Sequence, residues 1–263
     1  MNYEEILITI IVLIIGSFIG SFVSLVSYRW PKNLSIITPR SYCENCKTTL
    51  SWNDNIPLIG FIIKLGKCSY CKENISIQSL VIEWLTGISF ALVYVYFGLN
   101  ISSLLLMIIS AIMILNAEID FNETILPDLL NLLTAILGLT LNIYGYYNDS
   151  LFFATLIQMF IGGIIGFLIL YIINIIYKLI RKKDGMGMGD MKLLSAIGIL
   201  FGYQSLYQIL TISVFSAFVY IIIHLLLTFR NKLDLSSHIP FGPYIIFSSF
   251  IYMYYGNFLI KIM

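Results

Sequence analysis

The sequence predicts an all-α polytopic membrane protein with about eight transmembrane helices. Hydrophobic residues make up 59% of the 263 residues, charged residues only 11%, and the mean hydropathy is +0.91. A soluble domain usually carries about 25% charged residues, so this chain could not cover its surface as a water-soluble globule. The net charge of +1 offers no electrostatic basis for nucleic-acid binding, and we expect no such partner. The expected surroundings are the lipid bilayer.

Apolar stretches of about 20 residues, long enough to cross a bilayer, mark the predicted helices. The stretch Met191–Leu227 is too long for a single span, and Gly202-Tyr203-Gln204 divides it into a short helix and a longer one. The other predicted helices are Ile6–Tyr28, Ser79–Leu99, Ile101–Ile119, Ile125–Tyr147, Leu151–Ile180 and Ile239–Ile262.

Basic residues predict the orientation, because Lys and Arg in short loops stay on the cytoplasmic side. With the N-terminus outside, eight spans place every Lys and Arg except Lys261 on that side. Glu4 and Glu5 precede the first predicted helix, where a signal peptide would carry positive charge, so we expect a retained anchor. Both termini are therefore predicted to lie outside.

The longest connection, Trp30–Gln78, is polar and basic, whereas the other loops are short. We therefore predict three parts. They are a first transmembrane helix in residues 1–29, a cytoplasmic loop domain in residues 30–78, and a transmembrane domain in residues 79–263 that carries the remaining helices.

All four cysteines lie in this loop, as Cys43-Glu-Asn-Cys46 and Cys68-Ser-Tyr-Cys71. Two CxxC pairs at this separation are typical of a structural zinc site, in which four thiolates surround Zn²⁺ and leave no open position. Disulfides or redox-active thiols are the alternatives, but stable disulfides are rare in the reducing compartment that the topology predicts. Because the loop has too few apolar residues for its own core, zinc would supply its folding energy.

Acidic residues in membrane segments are costly and usually mark function. In this chain they are Glu83, Glu118, Asp120, Asp128 and Asp190. Asp120 ends the third predicted helix and Asp190 opens the sixth, so the topology places both at one depth on the cytoplasmic side. Two adjacent carboxyls cannot both ionise easily, and one could activate a water while the other stays protonated. The alternatives are helix caps for the aspartates and interhelical hydrogen bonds for the glutamates.

Glycines and a proline lie beside these aspartates. Gly187 and Gly189 precede Asp190 and let the backbone of an extended substrate approach closely. Pro127 is expected to start the fourth helix, where its missing N–H costs nothing. Asp128 could then cap that helix or bind its neighbours.

Short motifs follow one another along nearly the whole chain. They are Gly16-Ser17-Phe18 with Arg29-Trp30-Pro31, the two cysteine pairs with Asn55-Ile56-Pro57, Glu83, Asp120 with Leu126-Pro127-Asp128, Gly187-Met188-Gly189-Asp190, and Pro240-Phe241-Gly242-Pro243. In this order they resemble the type IV prepilin peptidases, the bifunctional leader peptidase/N-methyltransferases of bacterial pilus, type II secretion and competence systems. The GxGD segment alone is less specific, because presenilin-like proteases share it.

The resemblance implies a GxGD aspartic endopeptidase in a bacterial cytoplasmic membrane. Such enzymes cut the short basic leader from prepilins and pseudopilins at the cytoplasmic face, and members with the cysteine loop commonly methylate the new N-terminus with S-adenosylmethionine. Carried onto this sequence, the resemblance makes Asp120 and Asp190 catalytic and the four cysteines metal ligands. It gives supporting places to Gly187, Gly189, Pro127, Asp128 and Glu83.

Three alternatives stay open at this point. A presenilin-like intramembrane protease would act on other substrates, although the cysteine loop and the Pro-Phe-Gly-Pro segment argue against it. A transporter or proton relay would use the intramembrane carboxylates, although no repeated half is visible. A zinc-stabilised scaffold for pilus proteins would use the aspartates as caps.

Overall fold

The computed structural model describes residues 2–43, 45–49, 51, 56–58, 60, 63–64, 66–148, 151, 153–183, 185–228 and 240–262. This part of the chain contains eight helices of 14 or more residues. They are α1 (Tyr3–Arg29), α2 (Ile77–Phe97), α3 (Ile101–Glu123), α4 (Asp128–Tyr147), α5 (Leu156–Arg181), α6 (Met188–Phe201), α7 (Tyr203–Thr228) and α8 (Gly242–Ile262). The predicted all-α fold is confirmed.

Six helices of the described part, α1 to α5 and α7, are long and apolar enough to cross a bilayer. Helix α6 has only 14 residues, and at about 1.5 Å per residue it is shorter than the hydrocarbon core of about 30 Å. It ends where Gly202 adopts a left-handed φ of 80°, and α7 begins at the next residue. The predicted break at Gly202 is therefore confirmed.

Helix α8 begins at Gly242 rather than at Ile239, and two further helices also begin later than the hydropathy predicted. Helix α4 begins at Asp128 rather than at Ile125, because Thr124 takes a φ of 54° and Pro127 is the N-cap. Helix α5 begins at Leu156 rather than at Leu151, with Thr155 as N-cap and the side chain of Gln158 bonded to the Thr155 backbone. In both cases apolar residues in the preceding turn extended the predicted span beyond the helix.

The chain forms two compact units, Met1–Leu115 and Asn116–Met263. The first holds α1, the cysteine-bearing loop, α2 and most of α3. The second holds the end of α3 and the helices from α4 to α8. The division into residues 1–29, 30–78 and 79–263 stays a prediction.

In the first unit, α1 and α2 pack with their backbones close together. A Cβ added at Gly16 would lie 2.9 Å from the Cα of Gly87, and one added at Gly20 would lie 2.8 Å from the Cα of Glu83. Small residues at such contacts are typical of membrane helices, which associate by close packing rather than by burial from water.

The start of the loop is held by Arg29, the last residue of α1, which is only 6% exposed. Its guanidinium donates to the carbonyl oxygens of Ser35 and Pro39, each at 2.9 Å. The buried guanidinium therefore finds its hydrogen-bond partners in backbone carbonyls. These bonds hold the chain that follows α1 back against the end of the helix.

In the second unit, α5 and α6 approach each other through glycines. A Cβ added at Gly162 would overlap the carbonyl oxygen of Gly198, and one added at Gly166 would lie 2.6 Å from the carbonyl oxygen of Leu194. The hydroxyl of Ser195 donates to the carbonyl oxygen of Gly163 at 2.8 Å. This packing fixes α6, the helix that carries Asp190.

We expect Gly162→Val and Gly198→Val to destabilise the protein, because either side chain would push α5 away from the α6 backbone. Overpacking typically costs about 1–3 kcal/mol, and a contact with backbone lies at the upper end of that range. Thermal unfolding in detergent measures the loss. Ile164 of α5 is 60% exposed, so Ile164→Phe is the control. An equal loss of thermal stability in that variant would contradict the close packing of α5 against α6.

Candidate active site and metal site

Asp120 lies in the last turn of α3 and is only 4% exposed. Its Oδ2 accepts a hydrogen bond from the backbone N–H of Gly242 at 3.0 Å. Gly242 is the first residue of α8, where backbone N–H groups have no partner inside the helix. The start of α8 therefore supplies a hydrogen bond to a carboxyl that is almost completely buried.

Asp190 lies in the first turn of α6. It accepts a hydrogen bond from the backbone N–H of Gly187, the N-cap of that helix, and lies close enough to Asp120 for the two carboxyls to interact electrostatically. Its Oδ1 is buried and has no hydrogen-bond partner among the described residues. The structure thus brings two carboxyls from different helices close enough to interact electrostatically, and one buried oxygen of Asp190 has no hydrogen bond from the described residues.

Leu126, in the turn before α4, packs against the backbones beside both aspartates. A Cβ added at Gly189 would lie 2.7 Å from the Cβ of Leu126, and one added at Gly242 would lie 2.6 Å from Oδ2 of Asp120. The close approach of neighbouring atoms thus explains why residues 189 and 242 are glycines. Gly187 differs, because an added Cβ there would make only ordinary contact, 3.6 Å from Oδ2 of Asp190.

Asp128 does not cap α4. Pro127 is the N-cap and Asp128 is the first helical residue. The side chain of Asp128 instead pairs with Lys192 of α6, whose Nζ lies 2.7 Å from each carboxylate oxygen. Of the two roles considered for Asp128, the structure shows binding to a neighbour.

Glu83 belongs to the first unit, whereas both aspartates belong to the second. It is 9% exposed and accepts a hydrogen bond from the backbone N–H of Leu58 at 2.8 Å. A second bond comes from the hydroxyl of Ser21 on α1. Glu83 therefore connects the cysteine-bearing loop to α1 and α2, which is a structural contact of the kind expected for this residue.

The four cysteine sulfurs form one cluster, in which all lie within 4.8 Å of one another. All four thiols are free rather than paired in disulfides, and Sγ of Cys43 lies 3.8 Å from Sγ of Cys71. Four sulfurs at about 2.3 Å from a tetrahedral Zn²⁺ would be about 3.8 Å apart. The geometry fits a four-thiolate zinc site with modest contraction.

The two CxxC turns repeat one backbone conformation. Lys47 and Lys72, which directly follow the second cysteine of each pair, take left-handed φ values of 56° and 61°. Each lysine N–H bonds back to the carbonyl oxygen of the first cysteine, at 2.9 Å to Cys43 and 3.1 Å to Cys68. Both turns thus direct two sulfurs toward one point, as a zinc knuckle requires.

The surroundings favour the thiolate form of two cysteines and disfavour that of a third. Hydrogen bonds from the side chain and backbone of Thr48 lower the pKa of Cys46 to about 6. Hydrogen bonds from the backbone N–H groups of Cys71 and Tyr70 lower the pKa of Cys68. Against the lowering effect of a hydrogen bond from the backbone of Glu73, burial and hydrogen bonds with the other three cysteines raise the pKa of Cys71 to about 11. The thiolate is the form that binds a metal, so the surroundings of Cys46 and Cys68 favour metal binding.

Sequence reasoning did not find the contacts made by Gly242, Leu126 and Lys192. Gly242 had a visible signal, since a glycine in Pro-Phe-Gly-Pro opens the last helix and offers a free N–H. The contacts of Leu126 and Lys192 depend on how α4 and α6 are rotated about their axes, which hydropathy does not report.

An all-α multi-pass membrane protein with paired carboxyls at two helix ends and a four-thiol loop defines a narrow class. Residues 14–97 match the bacterial peptidase A24 N-terminal domain, and residues 107–222 match the type IV leader peptidase family. This chain belongs to the type IV leader peptidase family.

Curated relatives agree with these matches. A prepilin leader peptidase/N-methyltransferase of Vibrio cholerae is 33% identical, over 89% of this chain and 92% of its own length. Proteins of the same name in Pseudomonas aeruginosa and Burkholderia pseudomallei are 29% and 28% identical, each over 93% of this chain and over 89% and 84% of their own lengths. No solved structure matches the chain.

Proposed function

We propose that this protein is a membrane aspartic endopeptidase that removes the leader peptide of type IV prepilins or pseudopilins and then methylates the new N-terminus. The observation that carries the peptidase assignment is the pairing of the buried Asp120 with Asp190, two carboxyls from different helices that interact electrostatically. The family membership supports the same chemistry.

The two carboxyls can divide the work of peptide hydrolysis. Two adjacent carboxyls are disfavoured as a doubly ionised pair, so one is held protonated beside the other. The ionised carboxyl takes a proton from a water, which attacks the peptide carbonyl, while the protonated carboxyl donates to the carbonyl oxygen. The N–H groups of Gly242 and Gly187 hold the two side chains in place. Because the pair titrates as a unit, neither role belongs to one residue.

Zinc has a structural place in this proposal. Cys43, Cys46, Cys68 and Cys71 would hold it with four thiolates, which leaves no position for a water or substrate. The metal would therefore stabilise the loop and would take no part in peptide hydrolysis.

S-adenosylmethionine is the proposed methyl donor. This step follows from the names of the relatives and from the resemblance, and no residue of this chain is assigned to it. When bound, the donor would supply the methyl group that the new N-terminal amine accepts.

The proposed active-site face is the cytoplasmic one, because the distribution of Lys and Arg predicts this orientation for the ends of α3 and α6. A prepilin carries a basic leader followed by an apolar helix, so the scissile bond would lie at the membrane surface beside Asp120 and Asp190. The leader would then face acidic side chains. They are Glu118, Glu123, Asp128 and Asp184, the last of which lies outside the described residues.

Co-expression of this protein with a prepilin, followed by mass spectrometry of the product, tests the proposal. We expect loss of the leader and a gain of one methyl group at the new N-terminus. An uncleaved prepilin would reject the peptidase assignment, and a cleaved but unmethylated product would reject the methylation step alone.

Reversing an acidic charge near the leader should raise the apparent KM modestly and leave kcat largely unchanged. Exposed charge pairs are worth about 0.2–1 kcal/mol each and are screened by salt. Glu123 is exposed at the end of α3, so Glu123→Lys is the described test and Asp184→Lys is its companion. The kinetics of a leader peptide measure the change at low and high salt.

Glu4→Lys is the matched control, because it makes the same charge change in the first turn of α1, which is predicted to lie on the opposite side of the membrane. An equal rise in KM for Glu4→Lys, or a large loss of kcat for Glu123→Lys, would contradict the proposed path of the leader.

A further inference from the structure

Helix α4 is joined by polar side chains to both helices that carry the aspartates. Toward α3, Oδ1 of Asn131 accepts a hydrogen bond from Nδ2 of Asn116 at 2.7 Å. Toward α6, Asp128 accepts from Lys192, with 2.7 Å between Nζ and each carboxylate oxygen. Asp128 and Asn131 are three residues apart, so they share one side of α4.

Both contacts lie next to the aspartates along the chain. Asn116 precedes Asp120 by four residues, which places the two on one face of α3, one helical turn apart. Lys192 follows Asp190 by two residues in the first turns of α6. A shift of α4 relative to either neighbour would therefore be transmitted to a carboxyl within about one helical turn.

Burial of the asparagine pair costs free energy, because two of its polar atoms are left without hydrogen bonds among the described residues. Asn116 is 0% exposed and Asn131 is 3% exposed. Oδ1 of Asn116 and Nδ2 of Asn131 have no hydrogen-bond partner among the described residues. Leucines could fill the same space without unpaired polar atoms, each of which costs about 1–3 kcal/mol. A buried polar pair that is retained at this cost is suited to specifying one relative placement of two helices.

Helix α4 also packs tightly against α6. A Cβ added at Gly138 would lie 3.1 Å from the Cα of Leu200. Farther along, Nδ2 of Asn142 donates to the carbonyl oxygen of Leu200 at 2.8 Å. The ion pair at Asp128 thus lies at the start of a helix whose middle and end are already held against α6.

We propose that α4 sets the separation of Asp120 and Asp190, and that Asn116, Asn131, Asp128 and Lys192 are positioning residues for the pair. This inference rests on the proposed peptidase function. Misplacement of a reacting group by about 1 Å can cost about 100-fold in rate, so contacts that never touch the substrate can control turnover.

The first test replaces the buried pair, with Asn131→Leu and Asn116→Leu assayed for cleavage of a prepilin peptide. We expect kcat to fall about 10- to 100-fold with KM unchanged. We also expect the pH–rate profile to shift, because the coupling between two carboxyls depends on their separation.

Asn142→Leu is the matched control. Asn142 is equally buried on α4, at 1% exposure, and its Oδ1 accepts the N–H of Phe153 at 2.7 Å. It lies about 20 Å from Asp128 along the helix, at about 1.5 Å per residue. We expect it to lower the thermal stability without moving the pH–rate profile. A shift in the control equal to that of Asn131→Leu would overturn the inference.

The second test uses the exposed pair, whose side chains are 70% exposed for Asp128 and 40% for Lys192, so these variants should fold. Asp128→Asn and Lys192→Met should each lower kcat about three- to tenfold. KM should stay unchanged in Lys192→Met and rise only modestly in Asp128→Asn, because Asp128 is also one of the acidic residues proposed to face the leader. The double variant Asp128→Lys, Lys192→Asp should recover most of the loss. Wild-type kinetics in both single variants, or no recovery in the double variant, would overturn the inference.

The two proposals fail in different ways. A wild-type protein that does not cleave a prepilin rejects the proposed function. A wild-type protein that cleaves, together with positioning variants of unchanged kcat and pH–rate profile, rejects only the role of α4.

Discussion

Asp120→Asn and Asp190→Asn should each abolish leader cleavage while expression and membrane insertion stay intact. Asn keeps the size and one oxygen of Asp but can neither take a proton from water nor donate one as an acid. Because the two carboxyls act as one unit, removing either should lower kcat by at least about 10³-fold. Single-turnover cleavage of a prepilin peptide measures the rate without interference from product release.

Asp128→Asn is the comparison for this experiment. Asp128 is also an acidic residue of the second unit, but it pairs with Lys192 rather than with Asp120 or Asp190. Its loss should cost far less than the loss of either paired aspartate. Cleavage at a near wild-type rate by Asp120→Asn or Asp190→Asn would contradict the assignment of the catalytic pair.

Cys43→Ser and Cys68→Ser should each release zinc from a protein that otherwise carries about one Zn per chain. Four-thiolate sites bind zinc with about 10–16 kcal/mol, which becomes folding free energy for a segment without its own core. Loss of one ligand should therefore disorder residues 30–78. Metal analysis measures the zinc, and hydrogen exchange of the loop measures its order.

Ser69→Ala changes a residue between two ligands of the second CxxC turn and should keep the zinc. Purified wild-type protein without zinc, or with two disulfides by thiol counting, would contradict the metal site. The cysteine variants should also keep part of their peptidase activity, because the thiol cluster lies in the first unit and the paired aspartates in the second. If they lost cleavage as completely as Asp120→Asn, the proposed separation of roles would be wrong.

Hydropathy alone determined the membrane class, the number of long helices and the break at Gly202, because span length and apolar content are local properties of the chain. Cysteine spacing alone predicted the thiol cluster, since each CxxC turn places its own two sulfurs. The sequence also predicted that Asp120 and Asp190 lie at helix ends, because each lies where an apolar stretch meets polar sequence.

Tertiary structure decided which groups these residues meet. The N–H of Gly242 reaches Asp120 across 122 residues of sequence, and nothing local to either residue predicts that contact. The sequence left two roles open for Asp128, a helix cap or a contact with its neighbours. The turn at Thr124 makes Pro127 the cap, and the carboxylate of Asp128 pairs with Lys192. Such contacts depend on the rotation of each helix about its axis. A membrane helix that is apolar on all sides has little amphipathic pattern from which its rotation could be predicted. Its rotation is determined by packing at glycines and by buried polar pairs.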